Sequence, residues 1–478
     1  MHDLRKKALL ESGKTTSRKS RSRPDSNFGS PATSPGGSRH GSRTNSRAGS
    51  RYASEEEGGL SDSEFDDSMT MSTNSVSDDA FDDDGNAKSA WSDRLQTLIS
   101  QILAGRTSDR KRIGVQDREE QLKAYLHIVR HYYSKQEIGG SMSDLVEGLM
   151  KSIKSGGSPL ERSLALRSLC VSILTNPSEG IFEGIVQGLK VVCQDDEDEN
   201  VKADAVYALC VGAMHGDGST EVAEDILEFL IEIIESDGQA VGAPDSATVV
   251  VAAQLGWGFV ASYLGDLSDQ SEQAMDAFVE QLDSIDVGVQ TGAGSNIALL
   301  FESAREYEEE TGETLTLRYD PNKLIRQMKE ISRGSKSISK RDRRLLRGDF
   351  SSIVTSLELG KGPGYSTSGR PTSNPHLGGS KAEADESDIQ EFGYREKIRV
   401  HNVYMVIDSW SLQAKVQLFR IILAGGFDTH FSQNPLIKES LDEAEVERII
   451  NPGELKKVLA AERSQALAAR GKRRQAGY

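Results

Sequence analysis

The sequence predicts an all-α protein: an armadillo/HEAT-like helical repeat solenoid with a small C-terminal module and a disordered N-terminal arm. Three observations point there. From Trp91 onward apolar residues recur with the 3.6-residue period of amphipathic helices. Within that region the sequence repeats itself at a spacing near forty residues. Before it, residues 1–88 are almost free of apolar side chains.

The repeat is visible residue by residue. Asp144-Leu145-Val146-Glu147-Gly148-Leu149-Met150-Lys151 returns forty residues later as Gly184-Ile185-Val186-Gln187-Gly188-Leu189-Lys190. A second helix type carries Ala165-Leu166 and Leu169-Cys170-Val171, then Ala205-Val206-Tyr207-Ala208-Leu209-Cys210-Val211. Its central leucines are Leu126, Leu169, Leu209, Leu255 and Leu299, at offsets of 43, 40, 46 and 44. That is the period of helical pairs that each bury one face against the next pair. Helix starts agree: Ser158-Pro159-Leu160-Glu161 supplies a capping hydroxyl, a first-turn proline and a returning glutamate, and Asp320-Pro321 opens a later helix in the same way.

Around this repeat domain, taken as 89–357, the composition sets the other boundaries. The arm, 1–88, is first basic, with Gly-Ser-Arg at 37–39, 41–43 and 49–51, and then acidic, with Glu55-Glu56-Glu57 and Asp82-Asp83-Asp84. Such a segment buries too little apolar surface to offset its ordering entropy; it reads either as a solvated tail or as an arm that touches RNA or is phosphorylated. Residues 358–390, with Gly360, Gly362, Pro363 and Gly364, form a flexible linker. A small module at 391–440 begins with the alternating strand Lys397-Ile398-Arg399-Val400-His401 and continues into the helix Leu412–Leu423, stopped by Gly425-Gly426. Residues 441–478 are a basic, helix-forming tail.

The formal net charge of −17 is strongly segregated. Residues 203–304 hold 18 acidic and no basic side chains, whereas 323–347 hold 10 basic against 2 acidic. The acidic repeats read as a solvated face or as a surface for basic protein partners. In the basic segment Lys336, Lys340, Arg341, Arg343, Arg344 and Arg347 cluster, and Lys340, Arg343, Arg344 and Arg347 share i, i+3, i+4, i+7 spacing that a helix would align on one side. Arginine's planar fork suits phosphate oxygens, and without interleaved aromatic residues the stripe suits RNA backbone and shape rather than stacked bases. Two other uses of the stripe stay open: a packed amphipathic helix or a nuclear import signal. Lys472, Arg473 and Arg474 form a second basic group near the end.

No constellation for catalysis, metal or cofactor emerges, so the expectation is no enzyme, no metal and no small-molecule substrate. Thr291-Gly292-Ala293-Gly294-Ser295 lacks the Lys-Ser/Thr of a phosphate loop. His127 and His131 are four apart but have no cysteine or acid to complete a zinc set. Cys170, Cys193 and Cys210 lie inside apolar helical patterns and read as core residues in a reducing compartment. The first residues, Met1-His2-Asp3-Leu4-Arg5-Lys6-Lys7, do not resemble a secretory leader. The uncharged stretch 246–265 reads as a helix buried on all sides rather than a membrane span.

Three ordered motifs resemble the interferon-related developmental regulator family over most of 90–440. The first is Ala293-Gly294-Ser295-Asn296-Ile297-Ala298-Leu299-Leu300-Phe301-Glu302, with Ser295-Asn296 departing from the family pattern. The second is Ser339-Lys340-Arg341-Asp342-Arg343-Arg344, trailed by Arg347, Phe350 and Leu357-Glu358. The third joins Ile407-Asp408-Ser409-Trp410, Phe419, Leu423-Ala424-Gly425-Gly426 and His430-Phe431-Ser432-Gln433-Asn434-Pro435-Leu436, with Asp408, Ser409, Trp410 and Asn434 as its structural core. The resemblance implies a regulator without catalytic residues. Members are described as transcriptional co-regulators working with histone deacetylase complexes, and one as a factor that occupies translationally inactive ribosomes. The expectation is therefore a cytoplasmic protein, with a nuclear pool possible in principle, that binds ribosomes or rRNA through its basic segments and represses translation. The alternative is a nuclear co-regulator whose acidic repeats bind chromatin-associated proteins.

Overall fold

The computed structural model describes residues 86–104, 113–315, 317–334, 339–371, 389–394 and 396–448. Lys336, Lys472, Arg473 and Arg474, and all of the arm but its last residues, lie outside the described residues. Helices α1 (Asn86–Ala104), α2 (Val115–His131) and the short α3 (Lys135–Gly139) come first, followed by α4 (Met142–Ser155), α5 (Pro159–Thr175) and α6 (Ile181–Asp195). Next are α7 (Glu199–His215), α8 (Thr220–Glu235), α9 (Ala247–Ala261), α10 (Ser268–Gln281), α11 (Val287–Thr311), α12 (Pro321–Gly334) and α13 (Lys340–Leu359).

These helices form two rows. In the inner row α2, α5, α7, α9, α11 and α13 each pack against the next, and the outer-row helices α1, α4, α6, α8, α10 and α12 back them. The five aligned leucines all fall on consecutive inner-row helices; Leu126, Leu169, Leu209 and Leu299 are buried and Leu255 is half-buried. The fold is the all-α repeat array that the forty-residue spacing implies. The outer helices show one-sided amphipathicity, whereas α7 and α9 are buried around most of their circumference. The uncharged stretch is α9 at the middle of the inner row, with Trp257, Phe259 and Val260 fully buried. Among the described residues no helix is long and apolar enough to cross a membrane.

Local chemistry sets the helix starts. Ser158 Oγ accepts from the Glu161 amide at 3.0 Å, with Pro159 in the first turn. The Glu161 carboxylate does not close the reciprocal half of a capping box. It accepts from the Gly157 amide at 2.8 Å and from Arg118 of α2, so it serves the inter-repeat interface instead. Lys202 donates to the carbonyls of Cys193, Gln194 and Val241, which places a buried cation on the carbonyl end of α6, where the helix dipole favours it. Cys170, Cys193 and Cys210 are buried free thiols, and burial raises all three pKa values.

After α13 the chain turns through β1 (Tyr365–Pro371), paired antiparallel with β2 (Ile389–Tyr394). Then β3 (Lys397–Val400) pairs with β4 (Val403–Val406), and β4 pairs with β5 (Val446–Arg448), both antiparallel. Between β4 and β5 lie α14 (Trp410–Leu423), α15 (Phe427–Gln433) and α16 (Pro435–Ser440). The C-terminal module thus continues through β5, past residue 440, because β5 completes its sheet.

Candidate functional site

Two places gather the residues singled out by sequence: the seat of the C-terminal module and the basic start of α13. The module lies on the inner row. Helix α14 runs over α9 and α11 and reaches α5, α15 rests on α2, and α16 touches α5. Its anchor is the start of α14, where Ser409 Oγ caps the helix by accepting from the Leu412 amide at 3.1 Å. The next unpaired amides, of Trp410 and Ser411, donate at 2.7 and 3.0 Å to one carboxylate oxygen of Glu302 on α11. The Trp410 indole N–H donates to Ser356 Oγ on α13 at 2.9 Å. Desolvation pushes the Glu302 carboxyl up to about 7, against the pull of the two amides that favour its anion.

The other end of the module is held by polar contacts of the same kind. Asn434 Nδ2 donates to the Leu174 carbonyl at 2.8 Å while its Oδ1 accepts from the Leu436 amide, so one side chain caps α16 and ties it to α5. His430 Nε2 is 3.0 Å from the Val129 carbonyl, and Arg130 Nε donates to the Ile422 carbonyl at 2.8 Å. Between these clamps Phe419 packs against Phe259 with ring centroids 5.5 Å apart. Gly426 lies so near the Arg130 carbonyl that no Cβ fits there. Asp408 is half-buried, with its main chain against Gly362. The Asp408-Ser409-Trp410 and Asn434 motif therefore works inside the molecule, fastening the module across the inner face.

The first sequence motif does the same for its neighbours. A Cβ on Gly294 would meet Ile353 Cδ1 at 2.8 Å and Phe350 Cε1 at 3.3 Å, so glycine lets α13 approach α11 closely. Asn296, a departure from the family pattern, donates to the Gln254 carbonyl at 2.9 Å. Glu302, Ser356 and Arg130 are functional to this seat and were not singled out by sequence reasoning. Glu302 stood inside a quoted motif, but only the fold shows that its partner is 108 residues away.

The basic segment opens α13. Ser339 Oγ accepts from the Asp342 amide at 3.1 Å and starts the helix one residue before Lys340. Lys340, Arg341, Arg344 and Arg347 are exposed and Arg343 is half-buried, while Leu346 and Phe350 on the opposite side are buried against the stack. Lys340, Arg344 and Arg347 have no ion-pair partner among the described residues. Lys323, Arg326 and Arg333 of the adjacent α12 are also exposed, so the last helical pair carries a cationic outer surface. The His127 and His131 rings lie with centroids 4.3 Å apart at an interplanar angle of 38°, and among the described residues no group of side chains is arranged to hold a metal ion.

A sequence profile described as Interferon-related developmental regulator (IFRD) matches residues 66–358, which is more than half of the chain. The chain belongs to the interferon-related developmental regulator family. An uncharacterised protein of Schizosaccharomyces pombe is 25% identical over 388 residues, covering 77% of this chain and 79% of the yeast protein. That alignment is longer than the profile match, so it extends beyond it. Interferon-related developmental regulator 1 of the pig, Sus scrofa, is 22% identical over 309 residues, 62% of this chain and 60% of the pig protein. An engineered protein of known crystal structure is 16% identical and covers 54% of this chain and 97% of its own, at a TM-score of 0.31. The family is one of regulators rather than enzymes.

Proposed function

We propose that this regulator binds ribosomes through the cationic surface of its last helical pair and represses translation. The observation that carries this reading is the start of α13, where Lys340, Arg344 and Arg347 project on the first two turns of a capped helix. Unpaired amides at that helix end add a partial positive charge to the fixed cations, and this combination favours phosphate. The acidic repeats repel phosphate, so RNA would meet the molecule in one orientation, α12–α13 first. The inner face, where helical-repeat proteins commonly take peptides, is already covered by the C-terminal module. Partner binding is thereby directed to the ends and outer surfaces of the stack.

Sedimentation of the full chain through sucrose gradients at low salt tests the reading. The protein should travel with ribosomal subunits or 80S particles. Replacing Lys340, Arg344 and Arg347 with glutamine should move it to the top of the gradient and reduce the slope of log K against log salt by about 2–3. A wild-type protein absent from ribosomal fractions would sink the proposal and favour the nuclear co-regulator, in which the acidic repeats bind basic chromatin-associated proteins.

A further inference from the structure

Inner-row helices alternate with outer ones, so α5, α7 and α9 run parallel and end on one edge of the stack. Pro177, His215 and Tyr263 mark those three ends, and together with Lys415 of α14 and the segment Leu436–Glu443 they enclose an open cleft of about 570 Å³. Its rim carries five exposed carboxylates: Glu179, Asp217, Glu439, Asp442 and Glu443. The carbonyl ends of three helices add negative potential to theirs. His215 contributes no opposing charge near neutrality, since burial holds its pKa down to about 4.

Acidic side chains alone would be a solvated rim. The floor of the cleft supplies an independent observation. Lys415 is nine-tenths buried, and its ammonium sits 4.8 Å over the Tyr263 ring. Among the described residues that ammonium has neither a hydrogen-bond acceptor nor a carboxylate partner, although five carboxylates line the same cleft. The stem of Lys415 is buried while its ammonium opens into the cleft, so its N–H donors are available to acceptor oxygens of an occupant. An occupant that offers cations to the rim and carbonyl oxygens to the floor complements both, which is the chemistry of an extended Lys/Arg-rich peptide.

We propose that the cleft takes the basic C-terminal segment of this same chain, residues 455–478. That segment has 7 basic and 1 acidic residue. The described chain leaves the cleft at Glu443 and ends at Arg448, no more than about 17 Å away even if fully extended. Residues 449–454 add at most about 20 Å of reach. A tether this short holds the segment near the cleft at an effective concentration on the order of millimolar, so modest contacts suffice. The regulatory consequence rests on the ribosome reading: a tail held in the cleft is withheld from RNA, and RNA phosphate competes with the carboxylates for it.

Zero-length carbodiimide cross-linking of the full-length monomer tests the docking without any ribosome. Lys472 should couple to Glu439, Asp442 or Glu443 at low salt, and the product should disappear at high salt. The variant E439Q/D442N/E443Q, altered only at exposed positions, should lose coupling of Lys472 to Glu179 and Asp217 as well. K415M should lower the yield several-fold with an unchanged far-UV spectrum. The proposal is overturned if Lys472 yields no intramolecular product or yields it undiminished in the triple variant. Products only between chains would likewise overturn it and assign the cleft to a second copy. Failure to sediment with ribosomes would leave these cross-links in place, so the two readings fail separately.

Discussion

The two halves of the repeat stack solve the same packing problem with different chemistry. In the N-terminal half, successive repeats are joined by partly buried ion pairs. Arg118 meets Glu161 through two contacts of 2.9 Å, Arg162 meets Asp196 at 2.7 Å, and Arg167 meets Asp204 at 2.9 Å. Residues 203–304 have no lysine or arginine, and there the links are neutral donors or a lone acid. Asn296 donates to the Gln254 carbonyl, Gln281 to the Ile234 carbonyl at 2.9 Å, and the buried Glu302 accepts from the main chain of α14. A repeat architecture thus constrains shape and apolar surface, while the polar seam between repeats stays free to vary. The acidic half has no lysine or arginine of its own: its buried Asp204 is met by Arg167 of the preceding repeat, and its buried Glu302 is answered by the C-terminal module.

The contrast can be broken most forcefully at Arg118. Replacing it with methionine leaves Glu161, which is fully buried, without its cation, and denaturant unfolding should show a loss of about 3–5 kcal/mol. Adding Glu161→Leu should recover much of that loss. A single-variant cost below about 1 kcal/mol would show that solvent reaches the pair.

Next comes pH. The Glu302 carboxyl is raised in the folded protein to about 7, so between its ordinary unfolded value and 7 the folded state binds more protons than the unfolded one. Its contribution to stability is then greatest at low pH and is lost as pH rises through that window, by on the order of 3 kcal/mol. Glu302→Gln keeps an acceptor for the Trp410 and Ser411 amides and should flatten this component of the melting temperature against pH. An unaltered profile would remove Glu302 as its source.

Smaller effects are expected from the neutral links. Gln281→Ala and Asn296→Ala should each cost about 0.5–1.5 kcal/mol, the net worth of a neutral hydrogen bond, because the Ile234 carbonyl keeps the Asp237 amide and Gln254 lies within α9. Values equal to the Arg118 cost would erase the distinction between the halves. Smallest is Lys329→Ala, which breaks a half-exposed pair with Glu358 and should change stability by less than about 1 kcal/mol.

Much of this was legible in the sequence. The forty-residue spacing located the inner row, since each repeat must bury a similar stripe, and Ser158 marked a helix start through a purely local hydrogen bond; Ser339 and Ser409 cap helices in the same way but were quoted only as motif residues. Charge segregation placed the exposed cations of α13 opposite the buried Leu346 and Phe350. The meaning of the C-terminal motif was not legible. Asp408-Ser409-Trp410 and Asn434 read as the structural core of a motif, but nothing nearby in the chain names what they hold: the partners Glu302, Ser356 and Leu174 lie 54 to 260 residues away. The acidic cleft was equally hidden, because its lining comes from five separate stretches of chain.

By itself the sequence determined the helices, their two-row periodicity and the sign of each surface, because these depend on residues a few positions apart and on summed charge. Tertiary structure alone decided that the module covers the inner face, that Glu302 answers amides instead of a cation, and that Lys415 ends up in an acidic cleft. Those outcomes depend on which helix ends meet in space, and a one-dimensional pattern does not encode a meeting between positions more than a hundred residues apart.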